Sequence, residues 1–198
     1  MTLRAAVLAS GTGSLCNALL ESRDGSYEIV AVLSDVPGAP VLDLAAAAGV
    51  ETRVVDCANF ADRAEWDEAL AAAIAEFAPD LVVSAGFMRV LGASVLNAFP
   101  DRIINTHPAL LPAFPGAHAV RDALAAGATS TGCTVHVIDA GVDTGPTITQ
   151  ERVDIRSTDD EVSLHERIKA VERRLIVEVV CSIARHGLSV HNGKATVA

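Results

Sequence analysis

The sequence predicts an α/β fold: one doubly wound, mainly parallel sheet with helices on both faces. Two observations predict it. Apolar runs of strand length alternate with helical stretches from the first residues onward, which is the pattern of successive βα units. Of 198 residues, 51% are hydrophobic but only 4% aromatic, and a core of small aliphatics suits a sheet packed between helices.

The elements follow in order. Residues 4–9 (RAAVLA) form a buried strand, residues 10–14 a glycine-rich turn and residues 15–22 a helix. A second strand spans 29–34, and a second helix spans 40–48, closed by Gly49 as its C-cap. Residues 52–55 make a short third strand. Residues 62–77 form an amphipathic helix, with Ala64, Leu70, Ala73, Ile74 and Phe77 at helical spacing and Pro79 ending it. Residues 81–85 (LVVSA) and 103–106 are further buried strands. In the second half, strands at 134–138 and 147–153 flank a glycine-rich loop, 139–145. The last helix opens at Thr158, with Glu161 completing a capping box, and runs to about Arg185 before Gly187. No repeat or low-complexity linker interrupts the chain, so one domain over residues 1–198 is expected.

Charge narrows the function. Fifteen basic side chains stand against 25 acidic ones, a formal charge of −10. A long nucleic-acid contact needs the opposite balance, although a pocket for a single phosphate remains open. Cys16, Cys57, Cys133 and Cys181 lie far apart, without a C-x-x-C pair or a Cys/His cluster at metal spacing. They read as four buried, reduced thiols, and no metal is expected. The N-terminal apolar run is too short for a membrane span and lacks a signal-peptide cleavage pattern, so the expectation is a cytoplasmic protein with no membrane partner.

Two places carry chemistry. Ser10-Gly11-Thr12-Gly13-Ser14 follows the first strand and opens a helix, where backbone N–H groups and the helix dipole attract an anion. A monophosphate site is the leading reading. A dinucleotide fingerprint would want glycine where Cys16 stands, although Asp35 could mimic its ribose-binding acid. A Walker A loop is excluded, because no Gly-Lys-Ser/Thr follows.

The second place is Asn105-Thr106-His107-Pro108, beyond the strand at 103–104. Asn105 and His107, two apart, point their side chains the same way, and Pro108 turns the chain out of the strand with His107 at the rim. Asp143 lies in the loop Gly141-Val142-Asp143-Thr144-Gly145. A carboxylate beside an imidazole raises its pKa and orients it. An amide and an imidazolium together can hold a developing oxyanion. These are the parts of an acyl transfer to an amine without a covalent enzyme intermediate. No G-x-S-x-G elbow or catalytic cysteine context competes with them. His118, His136, His165, His186 and His191 read as structural. That His107 meets Asp143 in space does not follow from spacing.

These segments, together with Ala85-Gly86-Phe87-Met88-Arg89-Val90-Leu91, Asn105 to Pro112, Phe114-Pro115-Gly116-x-His118 and Asp143-Thr144-Gly145-Pro146, occur in order over nearly the whole chain. The chain thereby resembles the phosphoribosylglycinamide formyltransferases, folate-dependent enzymes of purine synthesis. The resemblance implies a Rossmann-like formyltransferase fold whose N-terminal half binds the phosphate substrate and whose C-terminal half binds folate. It implies 10-formyltetrahydrofolate as co-substrate and the glycinamide amine as acceptor. Gly11, Thr12, Gly13, Ser14 and Leu15 would bind the substrate phosphate, and Lys169, Ala170, Val171 and Glu172 the substrate further along. The folate pocket would be lined by Met88, Arg89, Val90 and Leu91, by Asn105, and by Asp139, Ala140, Gly141, Val142 and Asp143, with Arg63 near the carboxylate tail. Asn105 would polarise the formyl oxygen, His107 act as general acid and Asp143 keep His107 protonated. Two positions depart from the family pattern: Leu15 stands where Asn is common, and Ala109 where Ser is common.

Relatives with the same Asn/His/Asp set differ in acceptor. A methionyl-tRNA formyltransferase would carry an extra C-terminal domain and a basic surface, and a formyltetrahydrofolate hydrolase an N-terminal regulatory domain. Length and charge favour neither, although water remains the nearest rival acceptor. A phosphate-binding module without catalysis would leave Asn105, His107 and Asp143 unexplained, and a dehydrogenase would require nicotinamide binding. The expected assembly is a monomer or homodimer.

Overall fold

The computed structural model describes residues 2–22 and 24–197. β1 (Leu3–Leu8) leads through the glycine turn into α1 (Ser14–Glu21), followed by β2 (Tyr27–Ser34), α2 (Pro40–Ala47) and β3 (Glu51–Val54). A 3₁₀ turn at Cys57–Asn59 precedes α3 (Arg63–Ala75), β4 (Leu81–Ser84), α4 (Ala93–Ala98) and β5 (Ile103–His107). Then come α5 (Ala119–Ala125), β6 (Ser130–Val137), β7 (Thr147–Asp154), the long α6 (Glu161–His186), and a hairpin of β8 (Leu188–His191) and β9 (Lys194–Val197).

Strands β1 to β7 form one sheet in the order β3-β2-β1-β4-β5-β6-β7. The first five are parallel, while β6 runs antiparallel to both β5 and β7. Alternation along β1 splits the core in two. Ala5, Val7 and Ala9 pack with α1, α2 and α6, whereas Ala6 and Leu8 pack on the opposite face with α3 and α4. The predicted doubly wound sheet with helices on both faces is what forms.

Local chemistry sets the helix ends. Pro40 occupies the first turn of α2, where its missing N–H costs nothing, and Gly49 follows the helix at φ +73°. Asp62 caps α3 by accepting the Glu65 N–H. The opening of α6 corrects the expected Thr158/Glu161 box. Asp160 accepts the Ser163 N–H at 2.8 Å, and Ser163 Oγ accepts the Asp160 N–H at 2.9 Å. Arg167 ties down the preceding turn through Asp159 and the Asp154 carbonyl, so the chain enters the helix two residues later than its first hydroxyl suggested.

The sequence reading missed four elements. One is α4, whose first amides are satisfied from outside: Asp67 of α3 accepts the N–H groups of Gly92, Ser94 and Val95 at 2.6, 2.8 and 3.3 Å. The second is the short α5. The others, β8 and β9, turn at Asn192-Gly193, both at positive φ (52° and 72°) as a type I′ hairpin requires. Strand β6 starts at Ser130, four residues before the expected start at 134, because β7 pairs along its whole length. The cysteine reading is half right: Cys16 and Cys133 are buried, while Cys57 and Cys181 are only half-buried. Burial pushes the Cys16 thiol up to about 12, far from nucleophilic range. Among the described residues no helix is long and apolar enough to cross a membrane.

Candidate active site

Strand order reverses between β1 and β4, and a crevice opens beyond the carboxyl ends of strands at such a point. Here it is a cleft of about 460 Å³, within the range of small-molecule sites. Its first wall is the turn after β1. Gly13, at φ +77°, sits at the N-cap of α1 with no side chain capping the helix, which leaves first-turn N–H groups available to a ligand. A Cβ at Gly13 would lie 2.5 Å from Val41 Cγ2, whereas one at Gly11 would meet no protein atom within 4 Å. Gly13 is therefore needed for the approach of α2, and Gly11 opens only onto the cleft. Leu15 turns its side chain into the core, so only its backbone faces a ligand.

The second wall is the loop after β4, where Met88, Arg89, Val90 and Leu91 all line the cleft. Ser10 Oγ accepts the Met88 N–H at 2.9 Å and donates to Asp35 Oδ1 at 2.5 Å. Arg89 Nε donates to Asp35 Oδ2 at 2.7 Å. Asp35 is thus committed to protein partners, which removes the acid that a dinucleotide reading needs. Arg63 does not line the cleft. Its guanidinium lies 4.4 Å over the Trp66 ring and donates to the Val90 carbonyl, holding the wall from behind.

A third segment closes the mouth. Asp139 Oδ1 accepts the Gly141 N–H at 3.0 Å and the Thr144 hydroxyl at 2.6 Å, which folds the loop so that Asp139, Gly141, Val142 and Asp143 line the cleft. Ala140 is exposed and lines no wall.

At the floor, the three residues singled out from sequence come together. His107 Nδ1 stands 3.3 Å from Asp143 Oδ2, and His107 Nε2 lies 2.8 Å from the Phe114 carbonyl oxygen. His107 is only 4% exposed, so it sits deeper than the expected rim position because the Pro-rich loop folds over it. Asp143 takes a positive φ of 55° and accepts the Gly116 N–H at 2.7 Å. The neighbouring His136 ring, the Gly116 N–H and the His107 ring hold its carboxyl below the usual carboxylate range against the opposing effect of burial.

His136, read from sequence as structural, belongs to this group. It pairs with Asn105 across β5 and β6, and its Nε2 lies 3.2 Å from Asn105 Nδ2 and 3.6 Å from Asp143 Oδ1. One face of α6 completes the cleft with His165, Lys169 and Glu172, spaced four and three apart. His165 was likewise read as structural. Burial pushes the Glu172 carboxyl up, and the Thr106 hydroxyl bonds it in partial compensation. Ala170 is exposed and Val171 packs on the core, so neither lines the cleft. Among the described residues, no group of three or more His, Cys, Asp or Glu side chains is placed to hold a metal ion.

The architecture has close counterparts. A family model described as formyl transferase matches residues 3–180. A phosphoribosylglycinamide formyltransferase of Mycobacterium tuberculosis is 52% identical over 196 residues, covering 98% of this chain and 91% of the relative. The trifunctional purine biosynthetic protein adenosine-3 of Homo sapiens is 38% identical over 195 residues, 96% of this chain and 19% of that longer protein. The crystal structure of glycinamide ribonucleotide transformylase 1 from Symbiobacterium toebii superposes with a TM-score of 0.95 at 39% identity, covering 99% of this chain and 94% of the other. On sequence and fold together, the chain belongs to the formyl transferase family, within the group of the phosphoribosylglycinamide formyltransferases.

Proposed function

We propose that the protein transfers the formyl group of 10-formyltetrahydrofolate to the amine of 5-phosphoribosylglycinamide in purine synthesis. The observation that carries this reading is the meeting of Asn105, His107 and Asp143 at the floor of a cleft with an anion-ready helix terminus on one side and an apolar loop on the other. The cleft fits the donor in kind. Met88, Val90 and Val142 are 74%, 57% and 53% exposed, as apolar side chains awaiting a ligand's rings would be.

Each group has a role. The first-turn amides of α1 and the Lys169 ammonium receive the substrate phosphate, and Glu172 faces the rest of that substrate. Asn105 presents an amide N–H to the formyl oxygen, where negative charge grows as the amine attacks. On His107, Nε2 is committed to the Phe114 carbonyl, so the transferable proton is the one on Nδ1, loosely held at 3.3 Å from Asp143. Asp143, its carboxyl held low, lies beside that proton and orients the ring. The chain acts as one catalytic unit over residues 1–198. Its N-terminal half supplies the phosphate turn and its C-terminal half the loop at Asp143, with Met88–Leu91 and Lys169–Glu172 crossing between the subsites.

The test is a spectrophotometric assay of purified protein with 10-formyltetrahydrofolate, with and without phosphoribosylglycinamide. Release of tetrahydrofolate that depends on the glycinamide supports the transferase. Release without it identifies water as the acceptor, and no release in either condition overturns the reading.

A further inference from the structure

One buried carboxylate at the junction of the two cleft walls takes no part in the chemistry above. Asp35 follows β2 and is 4% exposed. Its Oδ2 accepts Arg89 Nε at 2.7 Å and its Oδ1 accepts the Ser10 hydroxyl at 2.5 Å. The same Ser10 oxygen accepts the Met88 N–H at 2.9 Å, and the Ser10 N–H donates to the Gly86 carbonyl at 3.2 Å. Two positions of the second wall, Arg89 and Met88, therefore converge on Asp35, directly or through the Ser10 hydroxyl, while Gly86 is tied to the Ser10 backbone. Packing alone does not set this wall, because the Met88 and Val90 side chains are mostly exposed. Leu91 anchors its far end in the core, and Arg63 holds the Val90 carbonyl. Phe87 anchors the near end, buried in the core and stacked on Trp66, and between these anchors Met88 and Arg89 rest on the polar tie. A buried carboxylate is stable only with its donors in place, so it dictates where those donors sit.

We propose that Asp35 is a positioning residue for the formyl donor: it sets the Met88–Leu91 wall and locks that wall to the turn that opens α1. This rests on the reading of the cleft as a formyl-donor site. Ser10 belongs to the phosphate turn, so one carboxylate joins the anion subsite to the donor wall.

The experiment compares Asp35→Ala, Asp35→Asn and Ser10→Ala in steady-state kinetics with both substrates, and in amide hydrogen exchange across residues 86–92. In Asp35→Ala, the KM for 10-formyltetrahydrofolate rises about tenfold, the effect of losing one good charge-assisted hydrogen bond. The kcat and the KM for phosphoribosylglycinamide stay within about threefold, since neither the reacting groups nor the α1 amides change. Asp35→Asn and Ser10→Ala shift the donor KM in the same direction by less. The double variant Asp35→Ala/Ser10→Ala adds little, because Ser10 acts through Asp35. Exchange at the Met88 amide accelerates about tenfold in each variant as its acceptor chain loosens.

A purely structural role would lower Tm and the active fraction while leaving the donor KM unchanged. An unchanged donor KM in a folded, active variant overturns the proposal, and so does unchanged exchange at Met88. If Asp35→Ala does not fold, Asp35→Asn decides. If the wild-type protein shows no folate turnover, it is the functional reading that fails, and the exchange data alone then decide whether Asp35 positions the wall.

Discussion

Asn105 on β5 and His136 on β6 face each other across an antiparallel pair, with Asn105 Nδ2 3.2 Å from His136 Nε2. His136 Nδ1 lies 3.0 Å from the Val137 carbonyl, which accepts only from an N–H. With the proton of a neutral ring on Nδ1, Nε2 is left to accept from the Asn105 amide. This orients the amide with its nitrogen toward the ring and keeps its second N–H available to the cleft. When the ring also carries a proton on Nε2, that proton faces Asp143 Oδ1 at 3.6 Å, which is how the ring holds the Asp143 carboxyl down, and the amide turns its oxygen to the ring.

His136→Phe removes this acceptor while filling the same space. We expect kcat to fall about tenfold to a hundredfold, part of what one oxyanion donor contributes, with both KM values little changed. Steady-state kinetics on the purified variant checks this. A kcat equal to the wild type would show that Asn105 orients itself without the ring.

His107→Ala and Asp143→Asn remove groups that act in the transition state. Each is expected to lower kcat about 10²- to 10⁴-fold in a folded protein, as seen by circular dichroism beside the assay. Near-normal turnover of either variant contradicts the assigned roles.

Asp143 also makes stability depend on pH. Its carboxyl is held below the unfolded value, chiefly by the His136 ring, so the stabilisation is present above the ordinary carboxylate range. It is lost as pH falls through the folded-state value. The Tm difference between wild type and Asp143→Asn is therefore expected to narrow as pH drops below about 4. A difference that widens on acidification would reverse the sign of this linkage.

Glu172 has the opposite linkage. Burial raises its carboxyl above the unfolded value, so stability is greatest at low pH and declines as pH rises through the folded-state value. Glu172→Gln keeps the shape without the charge. We expect a higher Tm at neutral pH, no difference in acid, and a KM for phosphoribosylglycinamide raised about tenfold. Thermal melts at two pH values and one titration of the substrate decide it. An unchanged KM would place Glu172 outside the substrate site.

The two glycines of the first wall separate binding from folding. Gly13→Ala drives a Cβ into Val41 at a positive φ and is expected to cost about 1–3 kcal/mol of stability. Gly11→Ala meets no protein atom within 4 Å, so Tm should hold while the KM for the phosphate substrate rises. Melting curves and kinetics on both variants test the contrast. Equal loss of Tm in the two would show that Gly11 is structural.

Much of the fold is legible in local pattern. The βα alternation, Pro40 and Gly49 at the ends of α2, Asp62 at the start of α3 and Pro79 beyond its end are all short-range signals that local sterics and hydrogen bonds enforce. The Asn192-Gly193 turn carried such a signal too, and β8–β9 could have been read from it. Helix α4 could not, because its cap is Asp67, 25 residues before Gly92.

The site divides in the same way. Gly11, Gly13, Asn105 and His107 stand out in the sequence as candidates because each belongs to a contiguous segment whose spacing has a physical meaning at a strand end. Asp143 was a candidate only by its glycine-rich loop. The partnership of His107 with Asp143, the entry of His136 and His165 into the cleft, and the capture of Arg89 by Asp35 depend on contacts between distant segments. Strand order and the antiparallel register of β5 and β6 bring these segments together, and a one-residue slip in that register would have turned His136 to the opposite face of the sheet. Local sequence sets which residues end a strand or open a helix. Only the packed sheet decides which of those ends share a cleft, because sheet pairing and long-range burial are properties of the whole chain.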